Sequence, residues 1–291
     1  MYELMGDEQV APDVRCALCG TLFDMRTRSD ANGDSAATGS NDFVQSLERG
    51  LAVIQAFSAT TPRMTLSDVA RATGLTRAAS RRFLLTLQQL GFVDSEDREF
   101  FLTPRVLRLG YSYLSATPFW NLAQTHIEDL VDRVHESSSI SVLDRDEIVY
   151  VARVPTKRIM TISLGVGSRL PLYPTSMGRV LLAGLADDEV DAYLERAVFE
   201  RLTSRTIIDR GALRAAVMDV REQGWAMLDQ ELEDGVRSVA APLCDADGKV
   251  LGAVNISAHV TRTTLDALRK NFLPALIDTA ARINDDLSRR R

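Results

Sequence analysis

The sequence predicts an α+β fold: an N-terminal winged helix-turn-helix, a linker helix, and a C-terminal domain of helices around an antiparallel sheet. Three observations predict it. Between Thr65 and Leu102 two short amphipathic helical patterns, parted by Gly74, are followed by a pair of β-rich runs. From Ser139 onward β-rich runs and helical patterns fill the chain to its end. A length of 291 residues, 45% hydrophobic and 25% charged, suffices for two globular domains.

The segment Thr27 to Asn41 is rich in Ser, Ala, Gly, Asp and Thr without periodicity, so residues 1–41 are expected to be a flexible tail, with Met25 as an alternative start. Cys16 and Cys19 have the spacing of half a zinc site, but the nearest histidine is His126, and Cys244 leaves an odd cysteine. No metal site and no cofactor are implied. Order is expected from Phe43, with Val44, Leu47, Leu51, Ile54 and Ala56 marking a helix packed under the helix-turn-helix.

Thr65 and Asp68 then form a capping box ahead of Val69 and Ala70, and Gly74 supplies the positive φ of a tight turn before Thr76 opens a second helix. On that helix Ala79, Phe83, Leu87 and Leu90 share an arc expected to be core, with Leu84 at its border. Phe92-Val93 and Phe100-Phe101-Leu102 flank Glu96-Asp97-Arg98 and read as a hairpin wing. These elements make residues 42–103 one domain. Thr103-Pro104 is a cap followed by a first-turn proline, opening a linker helix over 104–118 whose apolar residues lie on more than one side and favour a dimer.

In residues 119–291 a long helix should run to about Glu136. Strands are expected at Ser139 to Leu143, Ile148 to Val154, Ile159 to Leu164, Trp225 to Leu228, Val236 to Leu243 and Val250 to Ser257. Helices are expected at Ser176 to Ala183, Asp187 to Arg196, Arg210 to Gln223 and Thr264 to about Leu287, with a hairpin turn at Asp245-Ala246-Asp247-Gly248.

A net charge of −6 is unlike a nonspecific nucleic-acid binder, so any DNA contact must be local. Arg77, Arg81 and Gln88 fall together opposite the predicted core arc, Ser80 flanks them, and Arg82 projects toward neither face. Arg and Gln match guanine and adenine edges; Ser and Thr hold phosphates, which adds Thr65 and Thr76. The wing is acidic at Asp94, Glu96, Asp97 and Glu99, leaving Arg98 at its tip as its one candidate for the backbone. The bland alternative is an amphipathic helix pair with a solvated polar face.

Several motifs now carry a resemblance. Ser46-Leu47-Glu48-Arg49-Gly50-Leu51, Leu66-Ser67-Asp68-Val69-Ala70, Gly167-Ser168-Arg169-Leu170-Pro171-Leu172, Thr175-Ser176-Met177-Gly178-Arg179, Gly224-Trp225-Ala226-Met227 and Gly235-Val236-Arg237-Ser238-Val239-Ala240-Ala241-Pro242 occur in order. With them, residues 43 to about 287 resemble an IclR-type bacterial transcriptional regulator. Val149-Tyr150-Val151-Ala152-Arg153 followed by Lys157-Arg158-Ile159-Met160 is similar to the branch regulating protocatechuate, 4-hydroxybenzoate and β-ketoadipate catabolism.

The resemblance implies a GAF-like effector-binding domain, a homodimer or dimer of dimers on a palindromic double-stranded operator, and a small organic-acid effector. RNA polymerase is a further candidate partner. The implied pocket lies between the 165–178 segment and the strands around Asp229 to Ser238 and Asn255 to Ser257. Its candidates are Thr175, Ser176, Asp229, Glu231, Ser238, Asn255 and Ser257, with Arg153 or Arg179 to pair a carboxylate. Many family members carry Cys where this chain has Ser238. Asp229 and Glu231 would repel an anion unless they bind its hydroxyls, are protonated, or act through water.

No nucleophile elbow, phosphate-binding loop or HExxH spacing is present, and Gly165-Val166-Gly167 lacks the third glycine of a dinucleotide fingerprint because Leu170 stands there. His126 and His135, on a predicted helix, and His259, in a predicted loop, read as packing or surface residues. No apolar run approaches bilayer length, which with the regulator reading predicts a cytoplasmic protein rather than an enzyme or membrane protein.

Overall fold

The computed structural model describes residues 43–116, 119–156 and 164–289. The segment expected to be a tail, with Cys16 and Cys19, and the strand expected at Ile159 to Leu164 apart from Leu164 itself, lie outside them. The chain divides into two compact units between Tyr111 and Ser112.

In the first unit α1 (Gln45–Gln55), α2 (Leu66–Thr73) and α3 (Arg77–Gln89) surround a core of Val53, Phe57, Met64, Val69, Leu84, Leu87 and Val93. The capping box forms: Thr65 N–H donates to Asp68 Oδ2 at 3.1 Å and Asp68 N–H to Thr65 Oγ1 at 3.3 Å. These bonds, the Thr65 hydroxyl first, hold the Asp68 carboxyl below its usual range. Gly74 ends α2 at φ 67°, and Thr76 Oγ1 accepts from Ala79 N–H at 3.2 Å to start α3.

Strands β2 (Val93–Glu96) and β3 (Glu99–Leu102) form the wing, turning through left-handed Asp97 and Arg98, and β1 (Met64–Thr65) adds an unexpected third strand on the far side of β3. Thr103 then caps a 3₁₀ turn, Pro104–Val106, which leads into α4 (Leu107–Ala116).

Phe43, Val44, Leu47 and Leu51 do not pack under the helix-turn-helix; all are exposed, and α1 meets the core through Val53 and Ile54 instead. The arc on α3 is also displaced. Ser80, Leu84 and Leu87 are its buried residues, whereas Leu90, expected in the core, is half exposed.

The second unit is one antiparallel sheet of β4 (Ser137–Asp144), β5 (Glu147–Val154), β6 (Arg169–Pro171), β7 (Ala226–Asp229), β8 (Val236–Cys244) and β9 (Val250–His259). Its spatial order is β6-β5-β4-β9-β8-β7. Strand β6 was not expected, and His259 ends β9 rather than lying in a loop. One face is covered by α5 (Phe119–Val134) and by α10 (Leu273–Ser288), which follows a short helix α9 (Leu265–Ala267) and a π turn. Against the other face pack α6 (Ser176–Ala183), α7 (Asp187–Arg196) and α8 (Arg210–Gln223).

Strand alternation sorts side chains between these layers: Val239, Ala241, Val254 and Ile256 enter the α5/α10 core, while Ala240 and Ala253 enter the α6 core. The second layer holds the cavity.

Candidate nucleic-acid interface and effector cavity

In α3, burial of Leu84 and Leu87 rotates the helix so that Ala78, Arg81, Arg82, Leu85 and Gln89 face outward. Arg77 is also exposed, in the first turn. Ser80 is fully buried and therefore unavailable to DNA. Arg82, placed by the sequence reading between faces, stands on the exposed one beside Arg81. Gln88 is half-buried, and its amide donates to Ser95 Oγ at 3.1 Å and Asp94 Oδ1 at 3.4 Å, which ties α3 to the wing.

Arg63 pairs with Glu96 at 2.9 Å and lies over the Phe101 ring, so two of the four wing carboxylates are engaged within the unit. Arg98 is exposed at the wing tip, Thr76 caps α3, and the Thr65 hydroxyl is spent in its capping box. Leu85 and Gln89 were missed by the sequence reading because the assumed arc pointed them elsewhere.

The sensor cavity lies under α6, and its wall includes Tyr150, Arg153, Ser176, Glu233, Ser238 and Asn255. Thr175, Glu231 and Ser257 also line it. A β-bulge makes this set possible. Ile140 pairs with Ala152 and Ser141 with Tyr150, leaving Val151 as the extra residue. Without it Tyr150 and Arg153, three apart on one strand, would face opposite sides of the sheet; with it both reach the cavity.

Arg153 donates to Ser139 Oγ at 3.1 Å, Ser139 N–H donates to Asn255 Oδ1 at 3.1 Å, and Asn255 Nδ2 donates to Ser257 Oγ at 3.0 Å. A line of hydrogen bonds thus fixes three of these wall side chains, through a serine the sequence reading did not single out. Burial lowers the pKa of Arg153, with the nearby Tyr150 hydroxyl opposing, and burial pushes Tyr150 up to about 12.

Among the described residues no carboxylate pairs with Arg153. Arg179 differs: it is buried, its Nη2 meets Glu231 Oε2 at 2.5 Å, and its Nε donates to Tyr173 O at 3.1 Å. It is not available for a ligand carboxylate. Burial lowers its pKa and Glu231 opposes that shift.

Asp229 is not part of the cavity wall; it sits between Arg205 and Arg237, 2.5 Å from the latter. Arginines thus stand against both acids, Arg205 and Arg237 beside Asp229 and Arg179 beside Glu231. Thr175 Oγ1 caps α6, accepting from Gly178 N–H at 3.1 Å, and a Cβ at Gly178 would collide with the Leu172 carbonyl. Glu233, missed in the acidic run Glu231 to Asp234, enters the wall from the loop before β8.

The helix-turn-helix and the sheet with its cavity each match a family description. Residues 46–97 match the IclR helix-turn-helix domain, and residues 111–285 the C-terminal domain of bacterial transcriptional regulator IclR. The chain belongs to the IclR family. That family comprises transcriptional regulators, not enzymes.

This IclR-family chain is 46% identical over 276 residues to the Pca regulon regulatory protein of Pseudomonas putida, covering 94% of this chain and 95% of that one. A transcriptional regulator from Rhodococcus sp. RHA1 superposes with a TM-score of 0.77 at 57% identity, covering 84% of this chain and 98% of that one. The PobR inducer-binding domain from Acinetobacter, solved as a double mutant with 3-hydroxybenzoic acid, does so at 0.54 and 30% identity, covering 57% and 97%. Among the described residues no helix is long and apolar enough to cross a membrane.

Proposed function

We propose that this IclR-family regulator controls aromatic-acid catabolism in the protocatechuate, 4-hydroxybenzoate or β-ketoadipate branch, binding a small organic acid through Arg153. The observation that carries the effector class is the contrast between two arginines of the sensor unit: Arg179, off the cavity wall, is neutralised by Glu231, and Arg153, on the wall, has no carboxylate partner among the described residues. A half-buried cation left without an anion favours an anionic ligand. The similarity to the Pca regulon regulator and to the inducer-binding domain crystallised with 3-hydroxybenzoic acid supports the branch.

The DNA contacts are assigned to Arg77, Arg81 and Arg82, with Thr76 and Arg98 on phosphates. The exposed apolar side chains Phe43 and Val44 just before α1, Leu47 and Leu51 on it, and Leu107, Leu109 and Tyr111 on α4, support pairing of two copies on a palindromic operator. Effector binding shifts the balance between sensor arrangements, and α4 carries that shift to the recognition helices; such coupling is typically about 1–3 kcal/mol.

Thermal melting against protocatechuate, 4-hydroxybenzoate, β-ketoadipate, glyoxylate and pyruvate tests the reading, because a ligand of the native state raises the melting temperature. A rise with one of the first three supports it. A rise only with glyoxylate or pyruvate moves the regulator to central carbon metabolism. If replacing Arg77 and Arg81 leaves selection of duplexes from a random DNA library intact, the DNA assignment fails and a sensor acting through protein partners takes its place.

A further inference from the structure

Two buried polar atoms of residues on the cavity wall have no hydrogen-bond partner among the described residues: Ser176 Oγ, at the start of α6, and Glu233 Oε2, in the loop before β8. Buried polar atoms are almost always partnered in folded proteins, so a pair of exceptions in one cavity marks where a ligand supplies the bonds. The neighbouring acids are answered, Asp229 by Arg205 and Arg237 and Glu231 by Arg179. Glu233 is not.

The charged groups acting on Glu233 are His259, from the end of β9, and Asp234 beside it; burial outweighs the attraction of His259 and raises the pKa of Glu233. Arg153 is not among them, which the sheet register explains. Arg153 stands opposite Ser139, which stands opposite Asn255, whereas Val236, three residues from Glu233, stands opposite His259. Four residues along β9 separate those positions, about 13 Å at roughly 3.3 Å per residue, before the sideways offset between strands is added.

We infer that the cavity is a two-ended site in which Arg153 receives the effector's carboxylate while Glu233, on the same wall as Ser176, donates a hydrogen bond through its carboxyl to a second acceptor of the same molecule. This deepens the effector reading above and rests on it. The acceptor is a hydroxyl, carbonyl or second carboxyl placed across a ring or at the far end of a short chain. Charge explains the protonation. For a monoanion against Arg153, neutral Glu233 leaves the site balanced and ionised Glu233 would leave a buried negative charge; for a dicarboxylate, ionised Glu233 would add a further charge to the excess. The proton comes from solvent to Glu233 Oε2, no bond of the effector breaks, and each anion binds with one proton.

Calorimetric titration of wild type, Glu233→Gln and Ser176→Ala from pH 5.5 to 8.5 tests this. The probes are two matched pairs: 4-hydroxybenzoate with benzoate, and β-ketoadipate with hexanoate. For one of the two-ended acids the wild-type Kd should rise about tenfold per pH unit above the Glu233 titration, as linkage to one proton requires. Glu233→Gln, a fixed neutral donor, should keep the low-pH Kd throughout, and Ser176→Ala should weaken binding equally at every pH. The one-ended partner acid should bind at least about tenfold more weakly, one lost hydrogen bond's worth. A wild-type Kd independent of pH, affinity rising with pH, or equal binding of both members of each pair would overturn the proposal.

A ligand-free arm separates this proposal from the effector reading. Because folding raises the Glu233 pKa, the fold favours its protonated form, and that stability is present below the ordinary carboxylate pKa and lost as pH rises through the folded value. Glu233→Gln should therefore melt higher than wild type at pH 8 and equal to it at pH 4. Identical melting at both would sink the protonated Glu233 even if acids bind, whereas a failure of every acid to bind would sink the effector reading whatever Glu233 does.

Discussion

The recognition helix and the surroundings of the cavity treat arginine in opposite ways. On α3, Arg77, Arg81 and Arg82 stand in solvent with no carboxylate partner among the described residues. In the sensor unit Arg179, Arg205 and Arg237, around the cavity, are paired with Glu231 or Asp229, and Arg169, Arg196, Arg214, Arg221 and Arg262 with other acids. A protein of net charge −6 can meet polyanionic DNA only where acids are kept away from its cations. Around the cavity the reverse holds, since a buried cation without an anion is costly and the buried Arg179 is held against Glu231. On the proposed assignments, pairing state, not residue type, separates an arginine that recognises from one that supports.

The comparison breaks most visibly at Arg179. Arg179→Ala strands the buried Glu231 carboxylate and should cost about 3–5 kcal/mol in urea denaturation; a loss below ~1 kcal/mol would mean that Arg179 is not committed to the pair. Arg81→Ala should instead leave denaturation unchanged and weaken operator binding by about 1–3 kcal/mol, with relaxed base preference in duplex selection. If Arg81 is spared and Arg82 is not, the exposed face is centred further round α3.

Arg153→Gln sharpens the contrast within the cavity: it should remove about 1.5–3 kcal/mol of effector binding, the range for hydrogen bonds to charged groups, and leave the ligand-free melting temperature unmoved. Equal loss of stability and binding would put Arg153 with Arg179 instead. The smallest effect is local. Thr65→Ala should cost about 1 kcal/mol by removing the α2 cap. Asp68's depressed pKa means that its contribution is present above the unfolded carboxylate pKa and lost as pH falls through the folded value. Thr65→Ala should therefore flatten the acid limb of the melting profile of the first unit.

Legibility followed the range of the interaction. Three helices of the second unit began and ended as expected, Ser176 to Ala183, Asp187 to Arg196 and Arg210 to Gln223, whereas the closing helix expected from Thr264 is interrupted by a π turn before α10. The recognition helix was found, but its rotation was misjudged, because Ser80 counted as polar and Leu84 as marginal when packing against α1 and the wing makes them central. The cavity was located through Ser176, Ser238, Asn255 and Ser257, whereas Tyr150 and Glu233 escaped notice. The bulge at Val151, which turns Tyr150 and Arg153 to one side, leaves no mark in the pattern of the strand.

The sequence by itself determined most helices, the longer strands, several caps and the family, because a cap such as Thr65 with Asp68 or Thr76 with Ala79 closes within three residues and depends on little beyond local backbone geometry. Only the tertiary structure decided which charges remain free. Arg179 finds Glu231 across 52 residues and Arg205 finds Asp229 across 24, and the electrostatic cost of a buried cation depends on what folding brings beside it.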